Sequence, residues 1–87
     1  MEKPVPELIT PEGINAADIT DLRDLEAPEP MVKILMACTH MDPDAHYVAH
    51  LPHVPEPLFP QLQARGLAWE VYEQADGSAL VVIRREV

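Results

Sequence analysis

Apolar positions along this chain follow two different periods. Met31, Ile34, Leu35, Cys38 and Met41 recur at the three- and four-residue spacing that places side chains on one face of a helix. The spacing predicts a first helix over residues 28–40, with that stripe turned to the core, broken by Met41-Asp42-Pro43-Asp44. A second helix is expected over residues 57–65, ended by Gly66 where a left-handed residue is wanted. Strand-like runs cover 19–23, 45–51, 67–74 and 78–85. The last two flank Asp76-Gly77, a strong hairpin dipeptide. The resulting order is β-α-β-α-β-β. It predicts a two-layer α/β (α+β) sandwich, a mixed four-stranded sheet with two helices on one face. On the third strand Trp69 and Tyr72 fall on opposite faces, and Trp69 with Leu67 and Val71 forms the better core set.

Residues 1–17 carry Pro4, Pro6, Pro11 and Gly13 among scattered apolar positions, the composition of an extended or partly ordered arm. Residues 18–87 hold the periodic pattern and constitute the domain. With 87 residues and 47% apolar content, one core is available, and about 60% of the unfolded chain's surface would be buried. A deep catalytic cavity is not expected.

Charge and composition exclude several partners. Fifteen acidic residues against six basic ones give a formal charge of −9, which opposes a phosphate backbone, so no nucleic acid is expected. No apolar run approaches the roughly 20 residues of a membrane span, and Met1-Glu2-Lys3-Pro4 lacks the basic-then-apolar order of a signal peptide. The expectation is a cytoplasmic protein without membrane contact, a monomer or weak homodimer. One cysteine, Cys38, forms no internal disulfide, so the fold must stand on packing.

Two stretches read almost alike: Ala27-Pro28-Glu29-Pro30-Met31-Val32 and Val54-Pro55-Glu56-Pro57-Leu58-Phe59. Each sets two prolines just before an apolar helical pattern, where a missing N–H costs least because the first helical donors have no partner. Both are strand-to-helix junctions, the place where small α/β domains tend to hold ligands.

The residues Asp21-Leu22-Arg23-Asp24-Leu25-Glu26-Ala27-Pro28-Glu29-Pro30 resemble the opening of the TusA/SirA-like sulfur carriers, a strand ending in Asp, a Gly-Leu pair, then Cys-Pro-x-Pro. The resemblance implies the same fold and, in that family, a persulfide-carrying cysteine that passes sulfur to partner proteins. Here Ala27 stands where that cysteine is expected and Asp24 where the glycine is, so the likeness is to the scaffold. His53-Val54-Pro55-Glu56-Pro57-Leu58 and Gly66-Leu67-Ala68-Trp69-Glu70 are similar to segments of an uncharacterised branch of that superfamily, the domain of unknown function 2249. That resemblance covers roughly residues 19–85 and brings no established activity.

Sulfur transfer needs an exposed, stabilised thiolate. Cys38 lies on the apolar stripe, where burial raises its pKa, and is read as a core residue. Asp24, Glu26 and Glu29 crowd the positive end of the first helix while Pro28 and Pro30 remove donors, which disfavours an anion there. Glu29 complements the helix dipole. His40, His46, His50 and His53 with Asp42 and Asp44 invite a metal. On a strand, however, His46 and His50 are about 13 Å apart. His50 and His53 remain only weak metal candidates, and the four histidines are read as surface or capping groups. His53 is the best single candidate: it can cap the second helix, bind an anion or a carbonyl, or pair with Glu56. Arg84 and Arg85 suit a solvated edge that discourages strand pairing. No Ser/His/Asp order, Gly-rich phosphate loop or metal-spaced Cys/His array is present.

The resulting expectation is a module without catalytic activity or cofactor, binding a protein partner or a small ligand. Its candidate surface comprises Pro28, Glu29, Pro30, His53, Pro55, Glu56 and Pro57, with Ala27 at the place of the missing thiol. The competing readings are a sulfur-relay or redox role for Cys38 and a histidine-based metal or haem-linked sensor.

Overall fold

The computed structural model describes residue 10 and residues 13–85. Strand β1 (Ile19–Asp21) is followed by helix α1 (Glu29–Cys38), which returns the chain so that strand β2 (His46–Leu51) pairs with β1 in parallel. Helix α2 (Leu58–Ala64) leads to strand β3 (Leu67–Glu73), and a tight hairpin to strand β4 (Ala79–Arg85). The sheet order is β1-β2-β4-β3. Strand β4 inserts antiparallel between β2 and β3, with Leu51 opposite Ala79 and Glu73 opposite the same residue. The mixed four-stranded sheet and the order β-α-β-α-β-β are those expected from the sequence pattern.

Local chemistry sets the element ends. Strand β1 stops two residues short of the expected 23 because the Arg23 backbone N–H donates to Asp21 Oδ1 and its guanidinium binds the same carboxylate, turning the chain. Pro28 caps α1 and Pro30 sits in its first turn. Pro57 caps α2, whose first turn also contains Pro60. At all of these positions no intrahelical donor is lost. Gly66, φ +69°, ends α2 in the left-handed region as expected, and Gly77, φ +88°, does the same in the hairpin.

The helices cover one face of the sheet. Ile34, Cys38 and Met41 of the predicted stripe are buried, and Met31 and Leu35 pack at its margin. They meet Ala49, Leu51, Leu67, Val81 and Ile83, with Leu58 and Leu62 of α2 completing the layer. Trp69 lies on this face and stacks on Phe59, with ring centroids 5.2 Å apart. On the opposite face Val48, Leu80 and Val82 are buried as well. There Tyr72 donates to Glu70 Oε2 at 2.6 Å, and Arg84 donates to Glu70 Oε1 at 3.0 Å.

One expectation changes. Arg84 and Arg85 do not protect an edge, because β4 is an interior strand and the edges are β1 and β3. Instead Arg84 bridges to Glu70 of β3, and the Arg85 guanidinium donates to the Met41 carbonyl, tying β4 to the end of the α1 stripe. Of the arm assigned to residues 1–17, residues 1–9, 11 and 12 lie outside the described residues. At its end Ala16–Asp18 form a 3-10 turn into β1, an ordered part within the arm's expected description.

Candidate functional site

Parallel pairing of β1 and β2 fixes where the two junctions go. Both strands end on the same side of the sheet, so the loops after Asp21 and after Leu51 emerge next to each other, at the carboxyl ends where open α/β sheets hold ligands. Between them lies an open-sided pocket of about 160 Å³. The first junction contributes Leu25, Ala27, Pro28, Pro30, Met31 and Ile34; the second contributes Leu51, Pro52, His53, Pro55, Pro57 and Leu58. The wall is almost wholly apolar. Its five prolines offer no N–H, and among the described residues His53 is the one lining residue with a polar side chain.

Of the sequence-designated residues, Ala27, Pro28, Pro30, His53, Pro55 and Pro57 therefore share one pocket. Glu29 and Glu56 are exposed between lining residues rather than part of the wall. The exposed His53 ring donates from Nδ1 to the Val54 carbonyl at 3.2 Å, which leaves Nε2 for another partner. His53 makes no side-chain cap on α2, whose N-cap is Pro57, so the capping role is corrected. Among the described residues no side-chain hydrogen bond or ion pair joins His53 to Glu56. Leu25, Met31, Ile34, Leu51, Pro52 and Leu58 belong to the pocket but were not legible as site residues. The available signal was the predicted pair of strand–helix units, because parallel neighbours deliver both loops to one end.

Cys38 is 3% exposed in the helix-side core. Burial pushes its thiol up to about 11 from an ordinary 9.0, against a small opposing pull from Arg85. At a given pH this leaves about a hundredfold less thiolate than an ordinary cysteine has. In native protein, labelling of Cys38 by an aromatic disulfide reagent should run at least about a hundredfold slower than in denaturant. Comparable rates in both would place the thiol outside the core.

A second polar group sits on the face away from the helices. His50 and Ser78 are buried, and His50 Nε2 lies 2.8 Å from Ser78 Oγ, which in turn donates to Asp76 Oδ1. Asp76 also accepts the Ser78 backbone N–H at 2.9 Å. Because the hydroxyl proton goes to Asp76, His50 must donate its Nε2–H to Ser78 rather than take the proton. This is the reverse of a nucleophile-activating triad, and the arrangement fastens the hairpin to β2. The reading of all four histidines as surface or capping groups thus fails at His50. Sequence spacing could not signal it, since His50 and Ser78 meet only through the β2–β4 register.

The His50 ring is hydrogen-bonded to Ser78 on the sheet, and the His53 ring lies in the junction loop, bonded to the Val54 carbonyl. Among the described residues no three or more His, Cys, Asp or Glu gather as a metal site. The Arg23 side chain, with its backbone N–H, holds the Asp21 carboxyl well below the usual range. Burial lowers the His50 pKa below 6.5 and Arg23 adds to it, while Asp21 and Asp76 pull the other way. The folded state therefore binds the His50 proton less readily than the unfolded chain. Its contribution to stability is complete above about pH 6.5 and is lost as pH falls from there through the lower folded-state pKa. Thermal unfolding should occur at lower temperature at pH 5 than at pH 7.5, a drop that His50→Gln reduces; an equal drop in the variant would exclude His50 as its source.

The model of an uncharacterised conserved protein family, DUF2249, matches the chain over residues 19–85. That span runs from the start of β1 to the end of β4 and includes every residue of the pocket. No curated protein matches the chain. Among the described residues no helix is long and apolar enough to cross a membrane.

Proposed function

The chain belongs to the DUF2249 family, and on that premise we propose that it is a non-catalytic binding module whose pocket between the two Pro-Glu-Pro junctions receives an apolar group of a partner. The observation that carries this reading is the convergence of both junctions, distant in sequence, on one apolar concavity. Its resemblance to TusA/SirA-like sulfur carriers concerns this same end of the sheet. In those carriers the transfer cysteine stands where this chain has Ala27, a pocket-wall residue with no nucleophile. Loss of the thiol leaves a docking surface. The other sulfur in reach of such chemistry, Cys38, is withdrawn into the core with its thiolate disfavoured.

Size and polarity define what the pocket accepts. An apolar cavity of about 150 Å³ is enough for a benzene-sized group, and this one, at about 160 Å³, takes one aromatic or branched aliphatic group. An anion is poorly served, because the prolines supply no donors and Glu29 occupies the first turn of α1.

The test is an amide-correlation titration of the full chain with benzene as probe. Shifts confined to Ala27, Met31, Leu51 and Leu58 are expected, retained in Cys38→Ser and abolished in Ala27→Trp, which fills the opening. His53→Ala weakens binding of a partner that uses the free Nε2 but leaves benzene binding in place. Absence of any benzene shift in the wild-type protein, or shifts at residues far from the two junctions, would remove the reading. Rapid native labelling of Cys38, or a persulfide on it, would favour sulfur chemistry instead.

A further inference from the structure

The rim of the pocket says which partner brings the apolar group. Glu26 lies between the wall residues Leu25 and Ala27, Glu29 between Pro28 and Pro30, and Glu56 between Pro55 and Pro57. All three are exposed, and among the described residues none makes an ion pair or side-chain hydrogen bond. The chain's own arginines are engaged elsewhere: Arg23 with Asp21, Arg84 with Glu70, Arg65 with Gln61 and Arg85 with the Met41 carbonyl. An apolar concavity is thus framed on both junctions by three exposed carboxylates that make no ion pair among the described residues, with Lys33, one turn along α1 from Glu29, the one cation close to them in sequence on that helix, in a chain of formal charge −9.

We propose that the occupant is a basic segment of another protein, with one leucine- or phenylalanine-sized side chain in the pocket and Lys or Arg residues on either side against Glu26, Glu29 and Glu56. This rests on the binding reading above and adds the chemistry of the partner. Each part has its own physical reason. The pocket excludes water from one side chain, whose burial supplies the affinity. The exposed carboxylates contribute individually little, but together they select positive over negative partners and raise the rate of encounter. An uncharged lipophilic molecule would use the pocket alone and leave the rim idle. An acidic segment would meet repulsion from both sides.

The experiment titrates the full chain with short blocked peptides: a central leucine flanked by arginines, the same with glycine in place of leucine, and the same with glutamates in place of the arginines. Benzene is included as the charge-free probe. The leucine–arginine peptide should shift the amides of Ala27, Met31 and Leu58 and bind at least about tenfold more tightly than either of the other two. Raising salt from about 50 to about 500 mM should remove most of its advantage over the glutamate peptide. The triple variant Glu26→Gln, Glu29→Gln, Glu56→Gln should do the same at low salt; the salt series carries the same information if that variant does not fold. Equal binding of the arginine and glutamate peptides overturns the proposal while the binding reading stands. So does equal binding of the leucine and glycine peptides, which would mean charge alone, or binding of benzene without any peptide, which would mean a small apolar ligand. Absence of any benzene shift overturns the binding reading itself, and this proposal with it.

Discussion

Replacing Leu62 with alanine is expected to lower the unfolding free energy by about 3–5 kcal/mol, the largest effect of any single truncation considered for this chain. Leu62 is fully buried on α2, one turn from Leu58, in the layer formed with Leu67 and Ile83. A helix of seven residues has no stability of its own, so its place on the sheet depends on these two side chains. Deleting the isobutyl group removes buried apolar surface and leaves a cavity that the strands beneath, held in a hydrogen-bonded sheet, cannot fill. A domain of this size has about 4–13 kcal/mol in total. At about 4–8 °C per kcal/mol, the midpoint of thermal unfolding should fall by at least about 12 °C. Gln63→Ala, one position along and exposed, should stay within about 0.5 kcal/mol. A midpoint loss below about 4 °C for the Leu62 variant would mean that α2 is not anchored in this way.

The second large effect is expected at Ser78. Ser78→Ala removes the acceptor for the buried His50 Nε2–H and should cost about 1–3 kcal/mol, the desolvation of a donor left without a partner. The alanine N–H can still reach Asp76, so the hairpin turn keeps its backbone bond. The penalty should therefore trace to the histidine. A double-mutant cycle tests this: adding His50→Leu to Ser78→Ala removes the orphaned donor, and the pair should be less destabilised than the sum of the single changes. Strict additivity in denaturant unfolding would show that the two side chains do not depend on each other. Unlike Leu62, this pair lies on the far face of the sheet, so neither variant should disturb benzene binding at the two junctions.

The Leu62 variant also probes how the pocket is held in place, because Leu62 anchors the helix that carries the wall residue Leu58. The pocket's second wall begins at Leu51, the residue after His50, and ends at Leu58, the first anchor of α2. The sheet side is fixed by the Leu22 N–H bond to the His50 carbonyl at 2.9 Å, which joins the first junction to the end of β2. The helix side is fixed by Leu58 and Leu62. Binding at the pocket and stability of the fold are therefore coupled through the last turn of chain on each side. A ligand bound there should raise the unfolding temperature by mass action.

Much of this arrangement is already written in the local residue pattern. The apolar stripe from Met31 to Met41, the Asp76-Gly77 turn, Gly66 and the proline pairs each dictate a conformation through steric and hydrogen-bonding rules that need only near neighbours. They sufficed to order the strands and helices, to assign Trp69 to the core and to mark both junctions as strand-to-helix turns. Cys38 belonged to the same stripe, and its burial followed. The tertiary structure decided what depends on pairing between distant segments. Strand β4 became interior because its antiparallel register with both β2 and β3 satisfies two rows of backbone groups, which turned Arg84 and Arg85 from edge guards into ties. His50 was buried by that register against Ser78, a contact spanning 28 positions that no spacing rule encodes. The two Pro-Glu-Pro segments became a single pocket only because β1 and β2 run parallel and end side by side, a choice made by the packing of α1 across the sheet.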